Sequence, residues 1–84
     1  MVIGIKVYVL IYLNNGYDNV NASSDVYATK ESAEKALQEE RESLISDYKG
    51  WGWKIKDDYK DKFVITSFDY SEFVEVHIEG HNIQ

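Results

Sequence analysis

The chain has 84 residues, no Cys, no Pro and a formal charge of −6. That length fits one domain, spanning residues 1–84, with a small core; disulfide stapling is excluded, and a reducing cytoplasm is the expected location. The acid excess argues against direct binding to nucleic acid or an anionic membrane, which rely on Lys and Arg meeting phosphates, but it permits a protein partner with a basic surface.

Residues 3–13, IGIKVYVLIYL, are the most apolar run. The run is too short to span a membrane, Lys6 interrupts it, and it lacks the flanks of a signal peptide. It reads as a core strand. Its odd positions are aliphatic (Ile3, Ile5, Val7, Val9, Ile11, Leu13), and its even positions include Tyr8, Leu10 and Tyr12. Successive strand residues point to opposite faces, so both faces need cover.

Asn14-Asn15-Gly16 then predicts a tight hairpin turn. A polar second strand follows over about residues 17–27 and belongs at a sheet edge, with Ser23-Ser24 marking a bulge or irregular patch. Thr29 is a good N-cap, and Glu31 and Glu34 suit the positive end of a helix dipole. The helix is expected to run to Tyr48 or Lys49, with Gly50 as its stop. Ala33, Ala36, Leu37, Leu44 and Tyr48 form its apolar stripe. Glu40 falls near the middle of that stripe, with Arg41 at its edge. Either Glu40 snorkels or the helix tilts away, or Glu40 is a carboxylate at an interface.

Beyond the helix, alternation puts Trp51, Trp53 and Ile55 on one face of a third strand. Residues 57–61 read as a polar turn, residues 62–68 as a fourth strand and residues 72–79 as a fifth. In the fifth, Val74, Val76 and Ile78 oppose Glu75, His77 and Glu79. Gly80 is expected to end that strand, leaving residues 80–84 as a loose tail. The order β-β-α-β-β-β predicts a two-layer α+β domain: an antiparallel sheet of about five strands with one helix on one face. The all-aliphatic odd face of the first strand is expected to meet the helix, and Tyr8, Leu10 and Tyr12 to look outward.

The first half of the chain resembles a broad group of short bacterial and phage proteins. They carry a VYVL-like strand and a V-Y-(S/T) turn that opens a helix of the type S-x-E-x-A-E-x-A. The matching residues here are Val7, Tyr8, Val9, Leu10, Val26, Tyr27, Thr29, Glu31, Ala33, Glu34 and Ala36. The resemblance implies a mobile-element setting, in which small acidic proteins of this kind inhibit host defence systems, anti-CRISPR proteins among them.

No enzyme motif stands out: there is no Cys nucleophile, no phosphate-binding Gly-rich loop and no triad spacing. Glu75, His77 and Glu79 share a strand face, but no second ligand cluster accompanies them, so neither metal nor cofactor is expected. Acidic residues gather at Asp69, Glu72, Glu75 and Glu79 and along the helix. Two such rows could imitate nucleic-acid phosphates; pairs such as Glu31 and Lys35 equally suit a solvated helix face.

Seven Tyr, two Trp and three Phe are more than a core this small can hide. The expected function is therefore non-catalytic docking on another protein, and the resemblance implies that this is a basic host-defence protein, blocked sterically. The contact would use Tyr8, Leu10, Tyr12, Trp51, Trp53 and Tyr59, rimmed by Glu40, Asp69, Glu72, Glu75 and Glu79. Two alternatives remain: a pocket that sequesters a nucleotide signal, with Lys54 and Lys56 on the phosphate, or a structural homodimer closed through the same sheet face.

Overall fold

The computed structural model describes residues 5–16, 20–69 and 71–83. The elements run β1 (Ile5–Asn15), β2 (Val20–Tyr27), α1 (Lys30–Tyr48), a 3-10 turn (Lys49–Trp51), β3 (Lys54–Asp58), β4 (Lys62–Thr66) and β5 (Phe73–Ile83). The strands form one five-stranded antiparallel sheet in the order β2-β1-β5-β4-β3. The helix packs on one side, giving the expected two-layer α+β fold. The shortest principal extent is 15 Å, room for a sheet and a helix but not for a third layer.

Thr29 caps the helix as expected: its Oγ1 accepts from the Ser32 N–H at 3.1 Å. Ala33, Leu37 and Leu44 are buried along the stripe, flanked by Ala36, Ile45 and Tyr48. The helix ends at Tyr48 as expected, but Gly50 is not its stop. Gly50 lies inside the 3-10 turn, and Gly52 takes the left-handed conformation at φ 81°, where a Cβ would be strained.

The core joins Leu10, Leu37, Leu44, Phe63, Ile65, Val74 and Val76. Leu10 is 5 % exposed. The even face of β1 therefore meets the helix, and the expectation that Tyr8, Leu10 and Tyr12 look outward is corrected. The cause is register. Leu10 pairs with Ile78 and Tyr12 with Val76, while Phe63 pairs with Val76 across β4. Directly opposite residues share a face, so the apolar even face of β5 brings the even face of β1 beneath the helix. Each fully buried side chain of this size contributes about 1.5–3 kcal/mol.

Several boundaries also move. Trp51 sits in the 3-10 turn rather than on β3, so it does not share a strand face with Ile55. Asp57 and Asp58 belong to β3, which carries a bulge between Ile55 and Asp57. The β1–β2 ladder is regular, with no bulge at Ser23-Ser24, and it extends to Asn15 opposite Val20. Asn14 and Asn15 of the predicted turn are therefore strand; residues 17–19, expected in the second strand, lie outside the described residues, as do Ile3 and Tyr70. Finally, β5 runs on through Gly80. His81 pairs with Val7 and Asn82 with Lys6, so the predicted loose tail is strand up to Ile83, with residue 84 outside the described residues. At Gly80 an added Cβ would stand 3.0 Å from Lys6 Cε and 3.7 Å from the Tyr8 ring. The absence of a side chain there leaves room for Lys6, whose ammonium lies 5.5 Å from the Tyr8 ring centroid.

Candidate functional site

The sheet face away from the helix is built by β1 and β5. On β1 it presents Val7, Val9, Ile11 and Leu13, each half-buried. The register places Val26 of β2 beside Val9, and Ala22 beside Leu13. Across β5, Glu79 lies opposite Val9, His77 opposite Ile11 and Glu75 opposite Leu13. Val20 is 75 % and Val26 66 % exposed. An aliphatic band thus runs along the sheet between Val20, Ala22 and Val26 of β2 and a row of carboxylates and imidazoles. The one helix among the described residues lies on the other side.

The polar row is internally connected. Glu79 Oε1 stands 3.4 Å from His77 Nε2, and its Oε2 3.2 Å from His81 Nε2. His81, and after it His77, holds the Glu79 carboxyl below its usual range. Glu75 Oε2 lies 2.9 Å from His77 Nδ1, but that buried nitrogen has no aligned hydrogen bond. Among the described residues, no three His, Asp or Glu groups converge as a metal cage would need.

The expected site residues do not form one patch. Tyr8 and Tyr12 are half-buried at the margin of the helix side, and Leu10 is core. Burial raises the Tyr12 pKa, and the nearby Tyr48 and Glu40 raise it further. Glu40 is exposed. It overhangs Tyr12, Ser23 and Asp25 around a hollow of about 200 Å³, because the polar β2 gives that flank of the helix nothing apolar to cover. Arg41 takes the opposite flank. Its guanidinium lies 5.7 Å from the Phe63 ring centroid and donates twice, at 2.8 Å each, to Asp58. Trp53 stacks on Tyr48 at 4.4 Å, and Trp51 meets the same ring edge-on while 73 % exposed. Tyr59 is exposed in the β3–β4 turn.

The acidic residues are likewise divided. Asp69 is engaged in its own turn, accepting from the Ser67 and Ser71 hydroxyls and the Ser71 N–H. The Ser71 bonds, more than the one from Ser67, hold its carboxyl below the usual range. Glu72 closes the same turn through its backbone, which pairs with Ser67. Glu75 and Glu79 lie on the open face beside their imidazoles, while the helix acids stand on the other layer. The two carboxylate rows are therefore separated by the sheet.

Sequence reasoning passed over Val7, Val9, Ile11 and Leu13 as site residues, assigning them to the core. It also passed over Ile45, which joins Ile55, Ile65 and Trp53 in an apolar groove of about 470 Å³ with Lys49 and Lys54 at its border. Lys56 is not part of that groove. It lies by a smaller depression with Lys62 and Thr66, whose buried Oγ1 has no hydrogen-bond partner. No protein-family model, curated protein or solved structure matches this chain.

Proposed function

We propose that this chain is a non-catalytic docking protein whose open sheet face is closed by a protein partner. The observation that carries the reading is the division of β1: one apolar face builds the core, and the other, Val7 to Leu13, is half-buried with no helix over it among the described residues. A contiguous aliphatic band on a small domain marks an interaction surface more often than an idle one. Its neighbours Glu75 and Glu79, with the net charge of −6, suit a partner that carries an apolar centre and a basic rim. The resemblance of the first half to phage proteins makes steric blocking of a basic host-defence protein the setting to test first. Tyr59 shares a hollow with Glu75 and His77 and so belongs to the margin of this contact, whereas Trp51 stands against Tyr48 past the end of the helix and becomes a secondary candidate.

The test is capture from a bacterial host lysate by immobilised wild-type protein, Ile11→Asp and Tyr12→Ser, read by mass spectrometry. A partner retained by wild type and Tyr12→Ser but lost by Ile11→Asp supports the reading, and rising salt should weaken the capture. Equal capture by Ile11→Asp sinks it.

One observation favours a second reading. The groove beside Trp53 has the volume of a small-molecule site, about 300–1,000 Å³ for such pockets, and two lysines border it. It would accept a flat anion such as a nucleotide, although Lys54 there acts with Lys49 rather than with Lys56. A thermal-shift panel of nucleotides distinguishes the two: stabilisation that is lost in Lys49→Glu favours the groove.

A further inference from the structure

Among the described residues the sheet has two free edges, β2 and β3, and they are built differently. The β3 edge carries three features that discourage strand addition: it is five residues long, it bears Lys54 and Lys56, and a bulge breaks its register. The β2 edge has none of them. It is eight residues long, regular throughout its pairing with β1, and free of Lys, Arg and Pro, with Asp25 as its only charge. All of its residues but Tyr27 are exposed.

We infer that the chain forms a homodimer in which β2 pairs antiparallel with β2 of a second copy, joining two sheets into one of ten strands. A twofold interface must be self-complementary, and this strand meets that demand in one register, centred on Ser23. Val20 then stands opposite Val26 on the open face, and Ala22 opposite Ser24. On the helix side, Asn21 stands opposite Asp25, an amide that can donate to a carboxylate, so the lone acid never faces its own copy. The pairing keeps both open faces on the same side, and Val20 and Val26 carry the aliphatic band across the seam. The helix packs mainly over β1, β5 and β4 and reaches β2 with Glu40 above Ser23 and Asp25, yet Asn21, Ser23 and Asp25 remain exposed, so a neighbouring strand has access. The dimer explains why a strand this exposed ends its outer row in valines on the open face.

The chain lacks cysteine, so single-cysteine variants report the pairing directly. Opposed residues in an antiparallel pair lie within disulfide range. Under mild oxidation Ser23→Cys should cross-link to a covalent dimer, Asn21→Cys alone should not, and a mixture of Asn21→Cys with Asp25→Cys should give the mixed dimer. Light scattering should show twice the 9.8 kDa chain mass for wild type, and the chain mass for Ser23→Lys, which sets two ammonium groups on the axis without touching the core. Ile11→Asp should remain dimeric. A wild-type monomer at every concentration, or equal cross-linking at positions 21 and 23, overturns the proposal. Neither result bears on docking at the open face, which the lysate capture tests separately.

Discussion

Between Val7 and Leu13 both faces of β1 are built of aliphatic or aromatic residues, and their fates are opposite. The even face holds Leu10 under the helix with Leu37, Leu44 and Phe63 around it. The odd face holds four aliphatic side chains beside Glu75, His77 and Glu79. What differs is the neighbour rather than the strand: β5 alternates cleanly, so whichever β1 face it pairs with on its Val74–Val76 side becomes core. A one-residue slip would exchange the two faces completely. The difference teaches that an evenly hydrophobic strand does not choose its own buried side.

The comparison is sharpened first by deletions on each face. Phe63→Ala should cost about 3–5 kcal/mol, a large share of the stability of a domain this size. Val9→Ala should cost only about 1 kcal/mol, because its side chain is only partly covered. Urea denaturation followed by circular dichroism measures both. The turn that ends the helix comes next. Gly52→Ala should lose about 1–2 kcal/mol from its left-handed backbone, whereas Gly50→Ala, whose Cβ would meet nothing within 4 Å, should lose little.

The Arg41–Asp58 pair fastens the helix to β3 on the covered side. Both side chains are partly exposed, so Asp58→Asn should cost only about 0.5–1 kcal/mol after screening. Hydrogen bonding from Arg41 lowers the folded-state pKa of Asp58. Its contribution is therefore complete above the ordinary Asp value of about 3.9 and fades as pH falls through the lowered one. The wild-type advantage over Asp58→Asn should be constant near neutrality and vanish in acid. The smallest effect belongs to Gly80→Ala. The nearest atom is the flexible end of Lys6, so a change within about 0.5 kcal/mol is expected, since a strand glycine is itself mildly unfavourable.

Much of the fold could be read from residues. Thr29, the Ala33–Leu37–Leu44 stripe and the alternation from Val74 to Ile78 fixed the helix and β5 locally, because caps and periodicity act within a few residues. The face of β1 could not be read this way, since both faces satisfy the same pattern and only long-range register separates them. Glu40 posed a similar problem: the helical period puts it on the stripe, yet the polar β2 beneath that flank leaves it solvated. Gly80 suggested a strand end, but the Lys6 and Tyr8 side chains occupy the space it leaves. Of the candidate site, Glu75 and Glu79 were legible beside His77. The aliphatic half was not, because it was credited to the core.

The most direct measurement uses two adjacent residues and one chemical change. Thermal unfolding of Leu10→Asp and Ile11→Asp compares the covered and open faces of β1 within a single strand. Leu10→Asp should lose the cooperative transition, since it buries an unpaired carboxylate among Leu37, Leu44 and Val76. Ile11→Asp should keep that transition within about 8 °C of wild type, the cost of strand propensity alone. Equal loss of folding in both variants would contradict the division of β1 into one face for the core and one face for a partner.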